Sequence, residues 1–325
     1  MKKNLTVTTM VIIMAIAMGG CAVLDTLVGK TNASESDANM GLPEYKGVKH
    51  AIGCKNFANQ AGWSGNWDIG NNLSIMLESA LYDTGRFVMV EREQLADVII
   101  EQDLNAGGRT AGAKNVAKTG LLRPAKYLAT GAVIEASEDT SGGRGGVSFK
   151  GISLGGSKSK AKVKIIAKLV DTTTGQVMKK KEFTGVAGKA NMSVGLRYKG
   201  LGTEVGSFKK TPMGEAAQDC IIQYAKWLAL EIEKEKFDAA VVKVAGDGMV
   251  IINRGSEHAL PVGKEMVMCE EGELLVDPGT GEVLGREKGK ELGQLKVERV
   301  NEKISYCSVI SGTKKPAPGT LVLEK

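Results

Sequence analysis

The sequence contains few histidines, prolines and aromatic residues, and the shortage of histidine already restricts the chemistry available to it. Only two histidines occur among 325 residues, His50 and His258, and they lie far apart in the chain. No Ser-His-Asp arrangement, metal cluster or phosphate-binding loop with its lysine can be assembled from this composition. The glycine-rich run 142–146 lacks the following helix that binding a phosphate would need. We therefore expect a protein that is not an enzyme and that uses no metal or cofactor.

The chain also lacks a large excess of one charge and a long apolar segment. Its net charge is +6, and two of the positive charges, Lys2 and Lys3, belong to the N-terminal segment. This mild balance argues against nucleic acid as a partner. The apolar run 10–18 is shorter than the roughly 20 residues that a transmembrane helix needs.

The N-terminal segment instead has the pattern of a bacterial lipoprotein signal. Basic residues precede the apolar run, and residues 19–20, both glycine, stand before Cys21. We predict that the signal peptide 1–20 is removed and that Cys21 carries the lipid anchor, with acyl chains such as palmitate buried in the bilayer. Ala22 follows the cysteine instead of aspartate, which by resemblance to enterobacterial lipoproteins implies the periplasmic face of the outer membrane. The polar segment 21–46 is predicted to be a tether.

The other cysteines match no metal-binding spacing. Cys54 and Cys220 lie in apolar patterns and are predicted to be buried free thiols. Cys269 and Cys307 share one predicted small domain in an oxidising compartment, so a disulfide and free thiols remain two alternatives for this pair.

The segment 73–103 is the part around which the predicted fold is organised. Apolar residues recur every three or four positions over 73–81, which predicts an amphipathic helix that either Asp68 or Asn71 could cap. The apolar run 87–90 has no helical period and predicts a buried strand. Helical spacing resumes at Leu95.

Further elements follow the same rules of periodicity. Strands are predicted over 48–57, 127–136, 161–171 and 176–184, with a tight turn at 171–175, and a helix runs from 211 to 234 after the cap Thr211. Helices packed on a mixed sheet result, so the fold class of residues 47–235 is α+β. Short strands separated by Gly and Asp turns predict a small β-barrel for 236–325.

Two segments between the strands, 137–160 and 185–208, are each long enough for a pair of the roughly 9 to 11 residue strands that cross a bilayer. In the second segment, apolar residues alternate with polar ones, which predicts a lipid-facing side formed by Met192, Val194, Leu196 and Tyr198. The first segment alternates less regularly, and a turn near Gly151 would explain its change of parity. Amphipathic surface hairpins that never meet lipid remain the alternative.

The pattern of 73–103 resembles the family of the curli secretion channel lipoprotein, the curli production assembly/transport component. Asn56 and Phe57 precede it, GRFVMVERE lies at its centre, and TGAVIEA and DTTTGQV fall where the family has its corresponding strands. The resemblance covers about 48–233. It implies an oligomeric export channel for protein subunits, served by accessory factors, in which each subunit of a ring of nine adds two hairpins to one shared transmembrane β-barrel. The C-terminal part, with GDGMVIINRG and VDPGTGEVLG, is similar to the C-terminal module of flagellar assembly T proteins.

The resemblance also implies a channel constriction in the loop between the first strand and first helix. The family lines this loop with Tyr, Asn and Phe, and this chain offers Trp63, Asn66 and Trp67, which do not match that motif residue by residue. The alternative is that both tryptophans form a lid packed on the helix.

Oligomerisation is a physical requirement of the channel interpretation, because an isolated hairpin in hydrocarbon would leave backbone amides unpaired. The alternative function is a periplasmic lipoprotein scaffold or activator of envelope assembly, of the penicillin-binding protein activator or flagellar ring type, without a pore.

Overall fold

The computed structural model describes residues 40–45, 47–111, 116–139, 148–149, 152–153, 160–187, 203–235, 237–287 and 289–325. The signal peptide, the anchor Cys21, most of the tether and the four predicted lipid-facing residues Met192, Val194, Leu196 and Tyr198 lie outside these ranges. None of the helices in the described ranges combines the length and the apolarity needed to cross a membrane.

A mixed β-sheet forms the centre of the first part of the chain. Its strands are β1 His50–Cys54, β2 Ala58–Asn59, β3 Phe87–Met89, β4 Tyr127–Asp139, β7 Lys160–Asp171 and β8 Val177–Val186, while β5 Ser148–Phe149 and β6 Ile152–Ser153 form a separate pair. The order is β3-β1-β4-β7-β8, with β2 also pairing with β4. Pairings are parallel from β3 to β4 and antiparallel from β4 to β8. The mixed sheet predicted from the sequence is confirmed.

Four helices accompany the sheet: α1 Ile69–Asp83, α2 Leu95–Ala106, α3 Thr203–Phe208 and α4 Pro212–Ile232. Helices α1 and α4 pack on the sheet and on each other. Asp68 caps α1, since its Oδ1 accepts a hydrogen bond from the Asn71 amide at 3.0 Å. Thr211 caps α4 in the same way, with Oγ1 accepting from the Gly214 amide at 3.0 Å.

Helix α4 lies unusually close to the sheet, and two residues make this contact. The Tyr224 hydroxyl reaches the carbonyl oxygens of Thr130 in β4 and Lys168 in β7 at 3.0 and 2.7 Å. A Cβ at Gly185 in β8 would lie 1.9 Å from the Ala216 carbonyl oxygen, so only glycine permits this approach.

Two predicted strands differ from those observed. Strand β1 begins at His50 rather than at Val48, because the Val48 side chain is buried in a second hydrophobic core described below. Strand β3 ends the described sheet and pairs there with β1, so Val88 and Met89 are only half-buried. The strand predicted at 87–90 is therefore present over 87–89, but only Phe87 in it is buried.

The C-terminal part is a small closed β-barrel, as predicted. Its strands are β9 Asp238–Val244, β10 Val250–Ile252, β11 Glu265–Cys269, β14 Glu291–Val300, β15 Ser305–Gly312 and β16 Leu321–Glu324, closed in the order β10-β15-β14-β11-β16-β9. β12 Leu274–Val276 and β13 Val283–Arg286 form a separate hairpin, whose turn lies between residues 276 and 283. The barrel encloses its own hydrophobic core.

All four cysteines in the described ranges are free and buried. The predicted free thiols Cys54 and Cys220 are confirmed. Of the two alternatives for Cys269 and Cys307, the structure has free thiols. Burial in the barrel raises the pKa of Cys307 to about 12, so this thiol stays protonated at neutral pH.

Candidate functional site

The strands that lead into the two predicted hairpin segments end together at one side of the sheet. Asp139, the last residue of β4, pairs with Lys160, the first residue of β7. Lys162 pairs with Val186, and the Ala187 amide donates to the Ala161 carbonyl at 3.0 Å. Both segments therefore leave and re-enter the fold at the same end of the sheet.

The first of these segments contains one described pair of short strands. Phe149 pairs with Ile152, and Ser148 pairs with Ser153, in antiparallel register. Gly151, near which a turn is predicted, lies outside the described residues. In the second segment, residues 188–202, including Met192 to Tyr198, lie outside the described ranges, so its lipid-facing side stays a prediction.

The aromatic loop lies at this same end of the sheet. Trp63, Asn66 and Trp67 line a pocket of about 320 Å³ together with Glu138 near the end of β4 and the N-terminal residues of α4. The structure thus brings all three predicted constriction residues together, beside the point where the first segment leaves the sheet.

Packing of the two tryptophans agrees with the lid alternative. The Trp67 and Phe208 ring centroids are 5.7 Å apart, and both indoles are half-buried against the hydrophobic core of the α/β part. Asn59 holds the loop, with Nδ2 donating to the Trp63 carbonyl at 2.8 Å and Oδ1 accepting from the Trp63 amide at 3.2 Å. Asn66 is exposed. A constriction role for these residues stays a prediction.

Sequence reasoning missed the residues that surround this loop. Phe208 ends α3 and Thr211 precedes α4, more than a hundred residues after Trp63. Thr211 was identifiable as a helix cap, but no local pattern places a cap beside a distant loop. Contacts across such separations depend on the assembled sheet.

Helix α2 is the only one of the described helices with no buried residue. None of its twelve residues is buried, and Val98, Ile99 and Ile100 are 36, 41 and 54% exposed. A helix of this length is marginal without tertiary packing of its apolar residues. Its apolar surface is therefore available to a partner.

The charged residues at the corner between β3 and α2 have the structural role expected for them. Glu91 Oε1 accepts from the amides of Glu93 and Gln94 at 2.7 and 2.8 Å. Arg92 Nη2 donates to the Arg123 carbonyl at 2.6 Å.

The two histidines, distant in sequence, line one cavity where the barrel meets the α/β part. Although they lie far apart in the chain, the fold brings them close, because the Lys49 amide, next to His50, donates to the His258 carbonyl at 2.7 Å. Within the described ranges, no group of three His, Cys, Asp or Glu side chains is placed to hold a metal ion.

The described fold is thus a mixed sheet with packed helices, from one end of which two chain segments leave, joined to a small closed barrel. The family model described as "Curli production assembly/transport component CsgG" matches residues 38–245, which is more than half of the chain. The chain belongs to this family. The match stops early in the barrel, so the likeness of 236–325 to flagellar assembly T proteins stays a prediction.

Several solved structures are similar to parts of the chain. The hypothetical protein CT253 of Chlamydia trachomatis is 13% identical, with a TM-score of 0.33 over 56% of this chain and 96% of that chain. The PelC dodecamer of Paraburkholderia phytofirmans is 12% identical, with a TM-score of 0.28 over 57% of this chain and 91% of that chain. The lipoprotein GNA1162 of Neisseria meningitidis is 13% identical, with a TM-score of 0.24 over 42% of this chain and 82% of that chain. All three TM-scores are too low to support a functional conclusion. No curated protein matches the chain.

Proposed function

We propose that this protein is a lipid-anchored outer-membrane protein whose copies form a ring with one shared transmembrane β-barrel, through which protein subunits are exported. Cys21 is the anchor, and residues 140–159 and 188–202 supply the barrel hairpins. The end of the predicted segment 185–208 is helix α3 and does not contribute strands. Membership of the curli assembly/transport family supports transport as the task. The ring number of nine follows the sequence resemblance, and accessory factors would deliver the exported subunits.

One observation carries the proposal more than any other: β4, β7 and β8 are three neighbouring antiparallel strands that end at one side of the sheet. Strands that continue in register beyond Asp139 and Val186 extend an existing ladder, so hairpin formation needs no new nucleation. A single copy still has open strand edges, which hydrocarbon does not tolerate. Neighbouring copies would close them.

Helix α2 supports self-association independently of the hairpins. Its exposed residues Val98, Ile99 and Ile100 are apolar, and a second copy of this chain is the partner that a ring would supply. Leu121 and Leu122, in the connector after α2, are also exposed at 74 and 41%.

The loop containing Trp63, Asn66 and Trp67 would narrow the conduit. It lies next to the last residues of β4, and hence beside the base of the proposed barrel. The two indoles are half-buried, and Asn59 holds the loop by hydrogen bonds to Trp63. The loop is therefore held in one position, which a size-selective constriction requires.

Planar-bilayer conductance of the detergent-extracted full chain tests the proposal. We expect annular particles in electron micrographs and discrete conductance steps. Replacing 140–159 and 188–202 by short Gly-Ser turns should abolish conductance and leave lipid-anchored monomers in place of rings. Trp63→Ala with Trp67→Ala should raise the unit conductance, whereas Trp227→Phe, in α4 and away from the loop, should not.

A second set of variants tests whether the exposed apolar surface of α2 is needed for ring formation. Ile99→Glu with Ile100→Glu should convert rings to monomers, while Glu101→Ala on the same helix should leave rings intact. Single soluble particles without conductance in the unmodified protein would contradict the channel and favour the scaffold or activator function.

A further inference from the structure

A second cavity, remote from the aromatic loop, lies between the α/β part and the barrel. Its volume is about 560 Å³, and its walls come from the start of β1 (49–51), the end of the connector (123–126), the turn between β7 and β8 (172–173), the barrel segment 253–258 and Lys303. Cavities of this size accommodate small organic molecules. A molecule bound here would touch both parts of the protein.

The lining is strongly basic. Five lining side chains are cationic and one is a carboxylate: Lys49, Arg123, Lys126, Arg254, Lys303 and, in opposition, Asp238. Asp238 Oδ1 is shared between Lys126 Nζ at 3.4 Å and Arg254 Nη2 at 3.6 Å, and Arg123 pairs with Glu257. Within the described ranges, no carboxylate lies at ion-pair distance from the ammonium groups of Lys49 and Lys303. The cavity therefore has positive charge in excess.

A buried polar atom without a partner also points to a ligand. His258 is 9% exposed and lines the cavity, and its Nδ1 has no hydrogen-bond partner in the described part of the chain. Backbone bonds to Lys49 and Gly255 fix the residue at 2.7 and 3.0 Å. Leaving a buried polar atom unsatisfied is unfavourable, so a bound molecule that supplies the partner is favoured.

The histidine remains neutral in this basic surrounding. Burial, followed by the nearby Arg254 and Arg123, lowers the pKa of His258 to about 4. At neutral pH the imidazole therefore adds no further charge, and its Nδ1 can donate or accept one hydrogen bond.

We propose that this cavity binds a small organic molecule through a phosphate group. A phosphate carries about 1.5 to 2 negative charges at neutral pH and three acceptor oxygens, which suits the uncompensated lysines and the arginine forks better than a carboxylate with one charge and two oxygens. The cavity is far larger than phosphate alone, so an organic part of about the size of a sugar fills the remainder. The Thr173 side chain is exposed at the wall and adds a hydroxyl for that part.

Calorimetric titration of the full chain in detergent provides the test, with glucose 6-phosphate as the soluble probe and dihexanoyl phosphatidic acid, also a phosphate monoester, as the headgroup probe. Binding of glucose 6-phosphate alone would assign a soluble phosphate ester, and stronger binding of the lipid would assign a headgroup. Glucose and succinate are the controls for the organic part and for a carboxylate. Equal binding of glucose or succinate would overturn the proposal, as would no binding of either phosphate probe.

Variants then locate the site. Lys49→Ala with Lys303→Ala should weaken binding of the phosphate probe at least about tenfold, because two charge-assisted contacts are lost. Both side chains lack an ion pair among the described residues, so folding should be unaffected, and an unchanged melting temperature without ligand would verify this. Lys243→Ala with Lys296→Ala removes the same charge from exposed barrel positions outside the cavity and should leave affinity within about twofold. Equal weakening by both pairs would refute the site.

Discussion

At the scale of single residues, Arg86 has the least typical environment of any charged side chain in the described part of the chain. It is 1% exposed, yet Nη1 pairs with Glu233 at 2.9 Å, Nη2 donates to the Pro43 carbonyl, and the guanidinium lies over the Tyr45 ring at 5.1 Å. The side chain thereby connects the start of the described chain to the end of α4. Burial of this charge is tolerated because Nη1 and Nη2 both have partners, although Nε has none among the described residues.

We predict that Arg86→Met destabilises the α/β part by about 2 to 4 kcal/mol, since the Pro43 carbonyl and Glu233 lose their partner. All three tryptophans, Trp63, Trp67 and Trp227, lie in this part, so denaturant unfolding followed by their fluorescence measures its stability. Arg109→Met, at an exposed position, should change stability by less than about 0.5 kcal/mol. Similar losses in both variants would show that the buried contacts of Arg86 contribute little.

The buried histidines predict a loss of stability in mild acid. Burial, followed by Lys126, lowers the pKa of His50 to about 4, and the pKa of His258 falls to the same value. Because the unfolded chain takes up protons near pH 6.5 and the folded chain only near pH 4, stability is lost as the pH falls between these values. Partial access of solvent to both rings reduces the effect to about 2 kcal/mol for each histidine.

The measurement compares the unmodified chain with His50→Gln/His258→Gln over pH 4 to 7. The double variant should have a shallower dependence of melting temperature on pH in this window. Parallel curves would mean that carboxylates, and not the histidines, govern acid stability.

At the scale of elements, the contact between β8 and α4 determines how closely the helix lies on the sheet. We predict that Gly185→Ala lowers the free energy of unfolding by about 1 to 3 kcal/mol. The added Cβ would lie 1.9 Å from the Ala216 carbonyl oxygen and 2.6 Å from the Cys220 amide nitrogen, and would push the helix away from the sheet. Gly206→Ala in α3 meets no atom within 4 Å and should be neutral or slightly stabilising. Thermal unfolding of both variants provides the comparison, and an equal response would contradict the close-approach argument.

At the scale of the whole molecule, the two hydrophobic cores do not follow the predicted boundary at 47–235 and 236–325. Val48 precedes β1 in the sequence but is 3% exposed within the barrel core. Val48, at the start of the first predicted domain, therefore completes the hydrophobic core of the second.

We therefore expect Val48→Ala to lower the free energy of unfolding of the barrel by about 1 to 3 kcal/mol. Thiol labelling in mild denaturant distinguishes the two cores, because Cys269 and Cys307 report on the barrel and Cys54 and Cys220 on the α/β part. Barrel cysteines should label faster in this variant, whereas Val88→Ala in β3 should not accelerate them. Faster labelling of Cys54 and Cys220 alone would contradict the assignment of Val48 to the barrel.

Elements with a strong local signal were predictable from the sequence. The spacing of apolar residues predicted α1 and α4, and Thr211 with Pro212 predicted the start of α4. In the predicted turn at 171–175, Gly175 has φ +72°, where positive φ is needed. Contacts between distant segments were not predictable. The place of Val48 in the barrel, the meeting of the two histidines and the position of the tryptophan loop beside Thr211 all depend on how finished elements assemble. The regular spacing in α2 predicted a helix correctly but implied a buried face that a single copy does not provide.

The order of strands in the barrel has a consequence for biosynthesis. β9 leads the barrel sequence but pairs with β16, whose residues 321–324 are translated after every other strand of the barrel. During synthesis from the N-terminus, the barrel therefore cannot close until β16 has been made. Val48 is made early but can be buried only when the barrel core forms. The hydrophobic core of the sheet and α4 contains no residue of the barrel strands. The α/β part can therefore form first, and the barrel can close against it.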